Sequence, residues 1–142
     1  MRKIKIFALI LLILWAFCIP ASAQTEASMV SIAAQVRSDE SCQITVTAQL
    51  HMEEGSGIRF PVPADAESIT LNGSRVRTSA ADQKKYIDIS KELGGITGDI
   101  TVTVQYNLPD VVENRADGRA LLRLPLLSGF EHRIKGLEFS VT

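Results

Sequence analysis

Two histidines are the first side chains to consider for metal binding or acid–base catalysis. His51 falls on the polar side of an alternating segment, and His132 lies in a loop near the end of the sequence. Zinc sites need several His, Cys, Asp or Glu ligands at short spacing, and neither histidine has such neighbours in sequence. A Ser/His/Asp triad stays open because its members can be far apart, although the G-x-S-x-G elbow is absent. We therefore expect two ordinary exposed histidines, and the sequence identifies no catalytic or metal-binding residue.

Oxygen-bearing side chains are concentrated in the segment 110–118, which contains Asp110, Glu113, Asn114 and Asp117. Calcium prefers such ligands, but their spacing is not that of a D-x-D-x-D-G calcium loop, and nearby arginines offset the negative charge. The sequence also contains no glycine motif of the kind that cradles phosphates. We interpret the segment as a solvated loop and expect no cofactor.

The residues most suited to contact a partner lie in loops and at a predicted sheet edge. Arg59 and Phe60 precede Pro61, whose missing N–H keeps this short segment out of a central strand. Binding residues are disproportionately found on loops that a rigid scaffold positions. The candidate contact surface therefore consists of Arg59 and Phe60, together with Asp110, Glu113 and Asp117 of the acidic loop.

The elements that must position these residues are β-strands, because the hydrophobic pattern has period two. In residues 41–52, apolar side chains occupy every second position, namely Cys42, Ile44, Val46, Ala48, Leu50 and Met52. Such alternation is typical of a strand with one buried and one exposed face. Residues 30–37 precede it across a polar turn and complete a predicted hairpin, while residues 100–108 form a second long alternating strand.

Turn residues separate the remaining strands. Asn72 and Gly73 lie between two short alternating runs, and Asn-Gly favours the type I′ hairpin turn, which needs positive φ at both positions. Asn72-Gly73-Ser74 also matches the N-glycosylation pattern, but we favour the turn. Residues 58–62 contain a proline and belong at an edge, and residues 90–93 form at most one helical turn.

These elements predict an all-β fold: an antiparallel β-sandwich of Ig-like or Greek-key type with about eight short strands. Tyr106 and Phe139 occupy apolar positions and are expected in the core, and Cys42 is expected to be a buried, inert thiol. The sequence stops at Thr142 within a strand pattern. We therefore expect the single domain, residues 24–142, to be truncated at its C-terminal end.

Residues 1–23 have the features of an export signal. The first five residues carry three positive charges, an apolar run of 14 residues follows, and Ala21-Ser22-Ala23 completes a cleavage-type site. This is the organisation of a secretory signal peptide, with an uncleaved anchor as the alternative. Because a membrane-spanning helix needs about 20 apolar residues, cleavage after Ala23 is favoured. The domain is therefore expected to be exported, to the cell envelope or the extracellular space.

Removal of the signal peptide, the leader of the chain, changes the amino-acid composition of the remaining domain. The only Trp and one of the two Cys leave with it, and 12 basic and 16 acidic residues remain, a net charge of −4. This acidic balance argues against a nucleic-acid partner, which requires a basic surface. The loss of Trp leaves little for an aromatic platform on which neutral sugars stack.

The second half of the chain carries a family resemblance. The residues concerned are the segment GIRFPVP at 57–63, residues 69–77 with their Asn-Gly turn, the strand 100–108 and the segment 121–139. Their order resembles the N-terminal extracytoplasmic domain of a family of predicted bacterial membrane proteins of unknown function. In that family a signal peptide precedes a β-sandwich and a transmembrane helix follows. The resemblance implies a membrane tether downstream of Thr142, and it transfers no catalytic residues because the family has none established.

Taken together, the residues and the resemblance predict a non-enzymatic extracytoplasmic domain of the cell envelope. Its partner is expected to be an unidentified protein or cell-wall component. A glycan-binding or adhesin module is the second hypothesis, and a hydrolase with dispersed catalytic residues is the third. Folds of this kind host many functions, so the fold alone does not choose among the three.

Overall fold

The computed structural model describes residues 25–142, so the predicted signal peptide lies outside the described residues. Of these residues about 56% are in strands and 3% in helix, which confirms the predicted all-β fold. The elements in chain order are β1 (Glu26–Val36), β2 (Cys42–Met52), β3 (Arg59–Pro63), β4 (Glu67–Leu71), β5 (Ser74–Arg75), β6 (Ser79–Ala81), β7 (Lys84–Asp88), α1 (Ile89–Glu92), β8 (Gly98–Leu108), β9 (Val112–Asn114), β10 (Ala120–Leu122), β11 (Arg133–Ile134) and β12 (Leu137–Val141).

A seven-stranded sheet, which we call the large sheet, is built around β2. Its strand order is β11-β1-β2-β8-β4-β5, and β12 also pairs with β1. Strand β2 pairs antiparallel with β1 on one side and along its whole length with β8 on the other. The predicted first hairpin is therefore confirmed, and the two long alternating segments of the sequence are neighbours at the centre of this sheet.

The alternation of β2 fixes which face of the large sheet is buried. All six apolar side chains predicted for its inner face are at most 2% exposed. Their partners on β8, which include Val102, Val104 and Tyr106, are buried on the same face. Because side chains alternate with period two, a register slip of one residue would turn this whole set toward solvent. The hydrophobic pattern therefore specifies a single pairing register.

A small sheet with the order β3-β7-β6 contributes the other side of the core. Phe60 and Val62 of β3 and Ile87 of β7 point inward and belong to the same buried cluster as the apolar side chains of the large sheet. Strand β3 pairs only with β7, so it is an edge strand, as its prolines predicted. The side chains that alternate with these inner ones, among them Arg59 and Tyr86, form what we call the outer face.

The predicted turn at Asn72 and Gly73 is present. Both residues have positive φ, 49° and 80°, as a type I′ turn requires. The turn is also tied to β8, because the Asn72 amide donates to the Thr103 carbonyl over 2.7 Å and the Thr103 amide donates to Oδ1 of Asn72 over 2.8 Å. Asn at this position therefore provides both the backbone conformation and a side-chain acceptor.

Three expectations need correction. The structure has twelve strands rather than eight, because several are pairs of two or three residues, too short for a visible alternation. The sheets are not wholly antiparallel, since β11 and β12 pair parallel with β1. Phe139 is 52% exposed rather than buried, because it lies on β12 at the border of the large sheet, where Leu137 and Val141 are exposed as well.

Within residues 25–142, none of the helices has the length and apolar character needed to span a bilayer.

The central strand supplies a direct test of this packing. Ile44 is fully buried on β2, whereas Thr101 is exposed on β8. We expect Ile44→Ala to lower the free energy of unfolding by about 2–5 kcal/mol, because it opens a cavity that the rigid sheet cannot close. The matched variant Thr101→Ala should change it by less than about 0.5 kcal/mol. Urea unfolding measures both, and equal midpoints for the two variants would contradict the assigned faces.

Candidate functional site

Arg59 is held in place on the outer face of the small sheet. Its guanidinium carbon lies 5.1 Å from the centre of the Tyr86 ring, and its Nη2 lies 3.8 Å from Oε1 of Glu131. An Arg over an aromatic ring gains about 0.5–1 kcal/mol at an exposed site. The side chain nevertheless remains 55% exposed. Arg59 therefore presents an oriented but accessible charge, as expected of a contact residue.

A loop formed by residues 125–131 supports this arrangement. Gly129 has φ of +92°, and a Cβ at this position would lie 2.8 Å from Nζ of Lys84 and 3.4 Å from Oη of Tyr86. The loop backbone thus passes close to the Lys84 and Tyr86 side chains, and its positive φ favours glycine at this position. Next to it, the Phe130 ring lies 5.8 Å from the Phe60 ring. The loop therefore contacts β7 through Gly129 and β3 through Phe130, and it carries Glu131 toward Arg59.

Phe60 does not belong to an accessible contact surface, contrary to the sequence-based expectation. It is 1% exposed and packs in the core. The reason is the alternation of β3: Arg59 points outward, so its neighbour Phe60 must point inward. The prolines at positions 61 and 63 interrupt the hydrophobic pattern of this segment, so the alternation was not visible in the sequence.

Two clefts open on the small sheet. The first, of about 310 Å³, is mainly apolar, and its walls include Pro61, Pro63 and Pro125. The second, of about 540 Å³, is rich in charged groups, and we call it the cationic cleft. It is lined by Arg75, Arg77, Thr78, Ser79, Tyr86, Asp88, Lys91 and Glu92. Tyr86, which lies beneath Arg59, also lines this cleft, so the two features adjoin.

The acidic residues of the other predicted contact segment are directed toward different partners. Glu113 lies on β9, with its Oε2 3.0 Å from Nη2 of Arg123. Asp117 accepts a hydrogen bond from the Arg119 amide over 3.0 Å, and Asp110 is exposed. No hydrogen bond or ion pair joins these acids to Arg59 within the described residues. Nor do residues 25–142 contain a cluster of three or more His, Cys, Asp or Glu side chains that could hold a metal ion.

Two other reactive groups are in the core. Cys42 is buried and unpaired within the described residues, as the sequence predicted, and burial raises the pKa of its thiol. Burial likewise raises the pKa of the Tyr106 hydroxyl. Because the thiolate rather than the thiol is the nucleophile, Cys42 is a structural residue in this position.

His51 has a partner that sequence spacing did not reveal. Its Nδ1 lies 2.7 Å from Oδ1 of Asp99, because the pairing of β2 with β8 places the two residues side by side. The hydrogen bond to Asp99 is the main cause that raises the pKa of His51 above its ordinary value. Glu26 is the neighbour of His51 on β1 and forms an ion pair with Lys135. Asp99 is 48 positions away in sequence, and His51 is exposed, as the sequence predicted.

Sequence reasoning missed most of the residues around Arg59. Tyr86 and Glu131 are 27 and 72 positions away from it, and only the small sheet and its supporting loop bring them together. One signal was available for the cationic cleft. Arg75 and Arg77 are two positions apart after a hairpin turn, a spacing that puts both on one face of an extended segment.

Comparison with known proteins adds little to this description. No protein-family model matches the chain, and no curated protein matches it. Among solved structures, a mutant M1 zinc metallopeptidase from Deinococcus radiodurans, with and without a Tyr-Ser-Ala substrate, is similar at 15% identity and a TM-score of 0.34. The match covers 78% of this chain but only 25% and 24% of those chains, so this chain spans about a quarter of their length.

The His51–Asp99 pair predicts a pH dependence. Folding raises the pKa of His51 above its ordinary value of 6.5. The protonated pair therefore stabilises the folded protein at pH values below the pKa of His51 in the unfolded chain. This contribution is lost as the pH rises through the higher pKa of His51 in the folded protein. We expect Asp99→Asn to lower the pKa of His51, followed by NMR titration. Asp99→Asn should also destabilise the protein more at about pH 5.5 than at about pH 8. A His51 titration unchanged by Asp99→Asn would contradict the pairing.

Proposed function

We propose that this protein is a non-enzymatic binding domain of the cell envelope, which uses the outer face of its small sheet to contact a protein or cell-wall component. The observation that carries the proposal is the geometry of Arg59. A side chain with several rotatable bonds is held by an aromatic ring and a carboxylate, yet more than half of it remains exposed. An Arg oriented before binding loses less conformational freedom when a partner arrives.

The surroundings of Arg59 support a binding role. The apolar cleft and the cationic cleft lie on the same small sheet, so a partner here would meet apolar and charged surface together. Interfaces commonly combine an apolar centre with Arg and aromatic residues. The sheet itself is rigid, since its inner side chains are buried in the common core. A rigid element that displays an oriented cation next to a cleft is suited to recognition.

The proposed location in the cell envelope is based on the sequence. The positively charged start, apolar run and small-residue site of residues 1–23 support export. On the basis of the family resemblance, the proposal includes a membrane tether downstream of Thr142. With both features, the domain would act at the cell surface or in the envelope, where its partners are proteins or wall polymers.

Substitution of Arg59 tests the proposal. The purified protein is mixed with isolated envelopes of the source cells, and the bound fraction is measured by sedimentation over a range of concentrations. We expect Arg59→Ala to weaken binding about fivefold or more, since a central interface Arg commonly contributes at least ~1 kcal/mol. Arg59→Lys keeps the charge but loses the planar guanidinium. Its affinity for the envelopes should therefore fall between that of the wild-type protein and that of Arg59→Ala.

Matched controls separate this surface from others. Arg133→Ala removes an exposed arginine from β11 and should leave binding unchanged. The double variant Glu113→Gln with Asp117→Asn tests the hairpin in which β9 and β10 pair antiparallel. Envelope binding that is lost only in this double variant would move the contact surface to β9 and β10. Wild-type affinity in Arg59→Ala would contradict the proposal.

A further inference from the structure

The cationic cleft contains charges that the fold does not neutralise. Arg75, Arg77 and Lys91 line it, and within residues 25–142 none of the three takes part in an ion pair. Both arginines are exposed, and they follow the tight turn at Asn72 and Gly73. Their charges are therefore available to a ligand.

Three separate elements hold the cleft open. One wall follows the hairpin turn that is hydrogen-bonded to β8. A second consists of β6 and β7, where Ser79 pairs with Tyr86. The third is α1, whose first turn is capped because Oδ1 of Asp88 accepts a hydrogen bond from the Lys91 amide over 3.0 Å. The elements that carry Arg75, Arg77 and Lys91 are thus stabilised by hydrogen bonds.

The cations alone indicate an anionic ligand. Arginine presents a planar fork of donors that matches the two oxygens of a carboxylate or phosphate. Several like charges on the walls of one cleft also raise the local concentration of counter-ions. A ligand with an anionic group would therefore be attracted to Arg75 and Arg77 in this cleft.

The remaining lining narrows the ligand class. Glu92 and Asp88 also face the cleft, and Thr78 and Ser79 add hydroxyl groups. Two carboxylates would repel a densely charged polyanion, but carboxylates are good acceptors for hydroxyl donors. A ligand that fits both sets of groups carries an anionic group and several hydroxyls on one frame. A sugar ring that bears a carboxylate has this combination.

We propose that the cationic cleft binds an acidic sugar, with its carboxylate on Arg75 and Arg77 and its hydroxyls toward Glu92 and the Thr78 and Ser79 side chains. This rests on the proposed binding function and names the ligand class for the same face. Recognition here depends on charge and hydrogen bonds. A sugar ring cannot stack on Tyr86, the aromatic residue of the cleft, because Arg59 covers it.

Calorimetric titration with oligogalacturonate tests the proposal, and its fully methyl-esterified form is the matched neutral probe. We expect the acid form to bind about tenfold or more tightly than the ester, the difference that a charge-assisted Arg contact provides. Arg75→Ala combined with Arg77→Ala should reduce affinity for the acid form by a similar factor, while Arg133→Ala leaves it unchanged. Equal affinity for acid and ester, or no effect of the double variant, would overturn the proposal.

Glu92→Gln distinguishes an acidic sugar from a bare anion. If Glu92 accepts a sugar hydroxyl, the variant binds oligogalacturonate more weakly; if the site takes any anion, removal of a negative charge makes binding tighter. Tighter binding, or inorganic phosphate bound as well as oligogalacturonate, would overturn the acidic-sugar assignment.

The two proposals fail in different ways. Failure of oligogalacturonate to bind, while envelope binding still depends on Arg59, would remove only the ligand class. Loss of the Arg59 dependence would remove the proposed function itself.

Discussion

The structure depends on the burial of one face of β2. This strand pairs with β1 and β8 along its length, and its apolar side chains form the middle of the core. Because the sheet period is two, the pattern of β2 determines the register of both neighbours. The rest of the chain is arranged to cover this apolar face, and the small sheet does so with Phe60, Val62 and Ile87.

The same alternation produces the candidate site. Once Phe60 is buried, Arg59 must point to the opposite side of β3, where it meets Tyr86 of β7. The outer face is therefore a consequence of core packing on the inner face. The supporting loop adds the last constraint, since Gly129 lies against Lys84 and Tyr86 while Glu131 reaches Arg59. The charge of Arg59 is in this way oriented by elements that also form the core and the small sheet.

Local signals in the sequence predicted local features well. The alternation of residues 41–52 predicted the central strand and its buried face, and the Asn-Gly pair predicted the hairpin turn with its positive φ values. Both depend on backbone geometry within a few residues. The edge position of β3 followed from its prolines for the same reason.

Features that depend on distant pairing were not predictable in this way. His51 meets Asp99 only because β2 and β8 are in register, and Arg59 meets Tyr86 only because β3 and β7 pair. Phe139 has the spacing of a core residue, but β12 lies at the border of the sheet and leaves it exposed. A periodic pattern reports which residues share a face, whereas burial also depends on what covers that face.

We propose that the outer face of the small sheet and the adjoining cationic cleft form the binding surface. Amide chemical-shift mapping of the isotope-labelled protein during titration with solubilised envelope polymers tests it most directly. We expect the largest shifts in β6, β7 and α1 and at Arg59, Arg75 and Arg77. Shifts centred on the β9–β10 hairpin or on β12, with the small sheet unaffected, would contradict it.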